Sequence, residues 1–215
     1  IITNSIPTTI TGLSPNTAYS CHVSAICAPG DTSSLSTPTF FTTACAPTLA
    51  PINENFDSGF SPCWSQDIIN DDFDWELEDG GTPSNGTGPD DDVSIGGNYM
   101  YTEASAPRQD GDFAIMYSEE IDLSTLTNPE IRFYTHMYGS AIGELQVDVF
   151  DNGSYTTIFN KIGEQVDAWV EEVILINPTS TIVHFRITGI LGVNANGDTC
   201  LLYTSPSPQD GTKSR

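Results

Sequence analysis

The sequence predicts an all-β protein built from short sandwich strands, and three observations carry that prediction. No window sustains a 3.6-residue apolar period with capping signals at its ends. Short apolar runs recur instead, separated by clusters of Gly, Pro, Asn and Asp. In the clearest run Leu145, Val147 and Val149 alternate with Gln146, Asp148 and Phe150, the period-2 pattern of a strand with one buried face.

Along the chain, the first stretch with strand character is Leu13-Ser14-Pro15-Asn16-Thr17-Ala18-Tyr19 followed by Val23 and Ala25, and Ser36 to Thr43 is the next. Together they resemble the E–F corner, F strand and G strand of a fibronectin type III domain, with Tyr19 at the corner-tyrosine position. The resemblance implies that residues 1–44 are a partial domain of about three strands, too few to bury a core alone. Cys45 to Ile52, framed by Pro38, Pro47 and Pro51, reads as a linker rather than as a longer strand.

Beyond the linker, Phe133 and Tyr134 continue an apolar run, and Gly139 and Gly143 break the chain before the Leu145 strand. Asp151-Asn152-Gly153 supplies residues that tolerate positive φ, so a tight turn should lead into Tyr155–Phe159. Trp169–Leu175 and Ile182–Ile187 read as two further strands, with Pro178 in the loop between them.

A series of landmarks in this region is more specific than any one of them. They are Asn55-Phe56-Asp57, Cys63-Trp64, Asp72-Phe73-Asp74-Trp75, Gly88-Pro89 with Asp92, Gly97-Asn98-Tyr99-Met100-Tyr101, and Gly111-Asp112-Phe113-Ala114. His136-Met137-Tyr138-Gly139-Ser140 and Gly143-Glu144-Leu145-Gln146-Val147 complete the set. In this order they resemble the MAM domain, an extracellular adhesion module named after meprin and receptor phosphatases. The resemblance implies that residues 53–199 form a jelly-roll β-sandwich and that the domain binds rather than catalyses. It also implies a bridge from Cys63 to an upstream cysteine, for which Cys45 is the nearest candidate. A second family cysteine, due near Glu130, is absent.

The end of the chain is a separate matter. Cys200-Leu201-Leu202-Tyr203-Thr204-Ser205-Pro206-Ser207-Pro208-Gln209-Asp210 resembles the conceptual translation of a transposase-type sequencing adapter, departing from it at Gln209. Ser214-Arg215 continues the match. This implies that residues 200–215 are a non-native tail and that the jelly roll lacks its last strand, which should begin at Asn196-Gly197-Asp198.

Charge and cysteine usage bound the partners. The chain carries 29 acidic and 6 basic residues, a net charge of −23, and outside the tail every acidic residue but Asp31 lies between 53 and 199. Such a surface repels nucleic acid and anionic membranes. No apolar run approaches 18 residues, so no membrane insertion is expected. Cys21, Cys27, Cys45 and Cys63 show no Cys-x-x-Cys spacing, which argues against zinc and fits an oxidising, extracellular or cell-surface compartment. Antiparallel F and G strands would hold Cys27 and Cys45 at opposite ends, which argues against their pairing. Beyond that the connectivity stays open. Asn85-Gly86-Thr87 and Asn152-Gly153-Ser154 match the glycosylation acceptor pattern.

No catalytic constellation is present in the sequence. His22, His136 and His184 have no activated Ser or Cys motif beside them, and no His-Glu-x-x-His or phosphate-cradling loop occurs. The expected function is a non-catalytic adhesion or recognition module of a larger secreted or surface protein, with a protein or glycan ligand. The alternative is a carbohydrate-binding jelly roll accessory to a secreted hydrolase or peptidase, with Trp64, Tyr99, Tyr101 and Tyr138 as its aromatic groove. The resemblance further implies a structural calcium ion held by Asp57, with Asp72 or Asp74 from the following loop, since calcium needs several converging oxygens.

Overall fold

The structure is a computed structural model and describes residues 2, 3 and 7–208. Residues 209–215 of the adapter-like tail lie outside the described residues. The chain divides into two compact units, Ile1–Ala46 and Pro47–Arg215. Among the described residues there is no helix, and so none long and apolar enough to cross a membrane.

In the first unit β1 (Ala18–Cys21), β2 (Ile26–Ala28), β3 (Asp31–Thr32) and β4 (Thr39–Thr42) form two small antiparallel pairs, β1 with β4 and β2 with β3. Tyr19 faces Phe41 across the first pair, ring centroids 5.8 Å apart. Its hydroxyl accepts a hydrogen bond from the Ser14 amide at 2.8 Å, the backward tie that the corner position calls for.

The second unit contains β5 (Thr48–Leu49), β6 (Ser65–Gln66), β7 (Glu76–Glu78), β8 (Tyr99–Thr102), β9 (Phe113–Tyr117) and β10 (Ile121–Asp122). Six longer-range strands follow: β11 (Pro129–His136), β12 (Glu144–Asp151), β13 (Ser154–Ile162), β14 (Val170–Leu175), β15 (Ile182–Ile190) and β16 (Thr199–Pro208). The larger sheet runs β13-β12-β15, with the far edge of β15 shared by β9 and β10; β6 then pairs with β9, and β5 with β10. The smaller sheet has the order β14-β11-β16-β8-β7. Leu145, Val147, Val149, Phe185 and Ile187 from the larger sheet meet Met100, Ile131, Phe133 and Leu201 from the smaller in one buried core with Phe56, Trp64 and Trp75. This is the all-β sandwich that the sequence predicts.

Two expectations are corrected. The predicted linker 45–52 is not free chain. Thr48 and Leu49 pair in parallel with Ile121 and Asp122, and Ala50 and Ile52 are buried in the core. The prolines did not prevent this because Pro47 and Pro51 sit just outside the two paired residues, where no ladder donor is required of them. Nor is the closing strand missing. β16 occupies the middle of the smaller sheet, pairing with β11 from Cys200 to Pro208 and with β8 from Thr199 to Leu201. Leu201 joins the main core, whereas Cys200 and Leu202 point to the opposite face and pack with Tyr99 and Tyr101. A strand covered on both faces takes an unbroken apolar run, and Cys200-Leu201-Leu202 supplies one. Pro206 lies within the strand, opposite Ile131. Past Leu201 β16 has a partner on one side only, and an edge tolerates proline.

Candidate recognition face

The residues singled out from sequence fall in different places. Trp64, Tyr99 and Tyr101 are buried, each 3% exposed or less, so they cannot line a groove. Tyr99 and Tyr101 face one way along β8 and belong to the second core cluster with Trp169. Only Tyr138 reaches a concavity, a pocket of about 310 Å³ lined also by Thr82, Asn85, Thr87, Asp90 and Asp167. Beside it His136 is buried, its Nε2 3.3 Å from Asp167 Oδ1. Burial lowers the His136 pKa more than the Asp167 and Asp90 carboxylates raise it.

Among the described residues no three His, Cys, Asp or Glu side chains converge as a metal shell, so Asp57, Asp72 and Asp74 are not brought together as one. Asp72 Oδ2 instead accepts from the Phe113 amide at 3.1 Å and pins the loop to β9, and Asp74 is exposed. Asp57 has a different carboxylate neighbour. A Cβ added to Gly97 would lie 2.6 Å from both Asp57 Oδ1 and Asp92 Oδ2. The two carboxylates therefore flank a gap that only glycine leaves open. Asp57 Oδ1 also accepts from the Asn98 amide at 2.9 Å. Asp92 is buried, and although burial alone would raise its pKa, hydrogen bonds from the Ser94 hydroxyl and from the Ser94, Gly97 and Ile95 amides lower it. Cys45 and Cys63 are disulfide-bonded, while Cys21, Cys27 and Cys200 are free.

Sequence reasoning missed the richest surface. On the outer face of the larger sheet, Tyr155 of β13, Phe150 of β12 and His184 of β15 stand side by side, because Phe150 is in register with both of the others. Ring centroids are 4.9 Å apart for Phe150–Tyr155 and 4.7 Å for Phe150–His184. The Tyr155 hydroxyl and His184 Nε2 are hydrogen-bonded at 2.9 Å. Tyr117 of β9 closes the group, 6.4 Å from His184 and 6.5 Å from Tyr155.

Next to the group lies an ion pair. Arg186 donates to Asp148 Oδ2 from Nε at 2.9 Å and from Nη2 at 2.8 Å, and its guanidinium covers the Tyr155 ring at 4.1 Å. Asp148 is almost wholly buried, which alone would raise its pKa. Donors from Thr157 at 2.7 Å, Gln146 at 2.9 Å and Arg186 reverse this and hold it low. At one border Asp67 accepts from the Ile69 and Asn70 amides at 2.9 Å each and from the Tyr117 hydroxyl at 2.8 Å. This turn holds Ile68 and Ile69 out in solvent, 85% and 82% exposed.

A β-bulge explains why the period-2 reading did not find this face. Val147 pairs with Phe159 and Asp148 with Thr157, leaving Ile158 as the extra residue. Tyr155, Thr157 and Phe159 share sequence parity, yet the bulge sends the first two outward and Phe159 into the core against Phe133, 5.1 Å away.

The second unit is thus a two-sheet jelly roll whose larger sheet carries a group of rings and a partly buried ion pair on its outer face. Residues 55–201 match the family model "MAM domain, meprin/A5/mu", and the chain belongs to that family. The chain is 31% identical to MAM domain-containing glycosylphosphatidylinositol anchor protein 1 of Gallus gallus over 137 residues, 60% of this chain and 14% of that one. It is equally identical to anchor protein 2 of Homo sapiens over 169 residues, 71% of this chain and 17% of that one. It thus spans less than a fifth of either relative. Among solved structures, the K1 cleaved adhesin domain of Lys-gingipain from Porphyromonas gingivalis W83 superposes with a TM-score of 0.50, at 14% identity over 73% of this chain and 97% of that one. This likeness shows the shared fold.

Proposed function

We propose that the MAM domain of this chain is an adhesion module that meets its ligand with the outer face of the larger sheet, bordered by Ile68 and Ile69. The observation that carries the reading is the isoleucine pair itself. Two large apolar side chains fixed in solvent by a fully bonded aspartate turn gain nothing for the fold and are available to a partner. Family membership supports the reading, as does the fold shared with an adhesin domain. Biotinylated chain should label intact cells or matrix-coated surfaces, and the Ile68→Ser/Ile69→Ser double variant should lose most of that labelling without a change in melting temperature. Equal labelling by the double variant, or none by the parent chain, refutes the proposal.

We further propose that a structural calcium ion, if bound, is held by Asp57 and Asp92 rather than by Asp57 with Asp72 and Asp74. The gap at Gly97 and the low pKa of Asp92 support it, since calcium takes ionised carboxylates and backbone oxygens. For residues 1–44, the tie from Ser14 to Tyr19 supports the fibronectin type III reading.

A further inference from the structure

We infer that the Tyr117–His184–Phe150–Tyr155 group with Arg186 is a binding site for a neutral oligosaccharide. The inference rests on the adhesion reading and names the ligand class for the same face.

Four features point to sugar rather than to another class. First, rings from β13, β12, β15 and β9 gather into one compact patch, with Tyr117 6.5 Å and His184 5.7 Å from Tyr155. A patch of that width suits one pyranose unit of a sugar chain. Second, Tyr155 remains 36% exposed beneath the Arg186 guanidinium, which sets apolar ring surface beside a charged fork where the C–H face and a hydroxyl of one pyranose can meet both. Third, polar groups with fixed directions adjoin it. Arg186 spends Nε and Nη2 on Asp148, and among the described residues its Nη1 has no partner. His184 has one ring nitrogen committed to Tyr155, and the Thr157 hydroxyl donates to Asp148 Oδ1, which leaves its lone pairs to accept. Donors and acceptors held by a network lose little entropy when a hydroxyl pair docks on them.

The fourth feature is charge. The one guanidinium on this face is neutralised by Asp148, and the chain as a whole carries −23. An anionic glycan would meet long-range repulsion, and among the described residues every Lys and Arg is already paired with a carboxylate, so a neutral glycan is the class that fits.

The test is an array of neutral gluco-, xylo-, manno- and galacto-oligosaccharides, with a heparin fragment and a sialylated glycan as charged comparators, followed by calorimetric titration of the 215-residue chain. At least one neutral oligosaccharide should bind and the charged comparators should not. Tyr155→Ala should weaken binding about tenfold or more, about 1.4 kcal/mol, whereas Tyr155→Phe should change it far less. Arg186→Lys keeps the charge opposite Asp148 but loses the fork, and it should weaken binding similarly even if Tyr155→Ala proves unstable. Failure of every neutral oligosaccharide to bind, preference for the anionic probes, or indifference to both Tyr155→Ala and Arg186→Lys overturns the inference. Cell labelling separates the two proposals. If labelling still depends on Ile68 and Ile69 while no sugar binds, the glycan assignment falls and the adhesion reading stands.

Discussion

Asp198 offers the most quantitative check on the packing. Its side chain is fully buried at the entry to β16. Oδ1 accepts from the Ala104 amide at 3.0 Å, and Oδ2 has no hydrogen-bond partner. The nearby Thr82 hydroxyl does not complete it, being committed to the Thr87 carbonyl at 3.1 Å. Burial therefore dominates and pushes the carboxyl up to about 6 from an ordinary value of 3.8. The sign follows from proton counting. Between pH 4 and 6 the folded chain holds a proton here that the unfolded chain has lost, so this group makes stability fall as pH rises through that window. Above pH 6 the whole penalty is present. Two units at about 1.4 kcal/mol each give roughly 3 kcal/mol. Asp198→Asn keeps the acceptor for Ala104 and removes the charge, at a cost of about 1 kcal/mol for an unpaired amide N–H at every pH. Relative to the parent chain, the variant should thus gain roughly 3 kcal/mol of stability between pH 4 and pH 8, ending about 2 kcal/mol more stable. Urea unfolding of both proteins at steps across that range measures the swing directly, because every other carboxylate cancels in the difference. A difference that does not vary with pH, or one that favours the parent chain as pH rises, would refute the burial argument.

Three further outcomes follow from the same structure. Leu201→Ala should cost about 3 kcal/mol in chemical unfolding, within the range for a fully buried leucine, since Leu201 is 0% exposed in the main core; a loss below about 1 kcal/mol would show that β16 does not close the sandwich. Gly143→Ala should be among the most damaging single changes, detectable as loss of soluble folded protein, because the new Cβ would lie 2.0 Å from the Ile190 carbonyl oxygen; normal yield and melting would contradict the close approach of those two segments. Calcium should raise the melting temperature through binding linkage, and Asp57→Asn or Asp92→Asn should abolish the shift while Asp74→Asn leaves it; dependence on Asp74 alone, or no shift at all, would sink the site proposed at Gly97.

The fold class was legible because both of its signals are local. Alternation at 145–150 and the Asp151-Asn152-Gly153 turn involve neighbours in sequence, and the structure places Asn152 and Gly153 at positive φ as that turn requires. The Cys63-Trp64 and Tyr99–Tyr101 landmarks marked core rather than site, and burial accounts for them. What stayed hidden depends on partners far apart in the chain. Nothing near Thr48 announces Ile121, which binds it in parallel. Nothing near Asp57 announces Asp92, which a glycine brings within reach. Part of the candidate face was hidden by a single extra residue, Ile158, which inverts the face on which Tyr155 would otherwise be counted. Regular patterns reveal the scaffold, and the irregular insertion that displays the candidate site breaks the pattern by which it would be found.

The central position of β16 has a consequence for how this domain assembles. Both of its neighbours, β8 and β11, precede it by 60 residues or more in sequence, so the smaller sheet exists as two separate fragments until β16 arrives. Until then β14-β11 and β8-β7 each present an open edge of backbone donors and acceptors alongside apolar residues such as Met100 and Phe133. Long-range pairing of this kind closes slowly, and during that interval the unfilled slot is a receptor for any extended apolar segment, including the same strand of another chain. The vulnerable period in the life of the domain is the wait for its middle strand, when exchange of β16 between copies competes with correct closure.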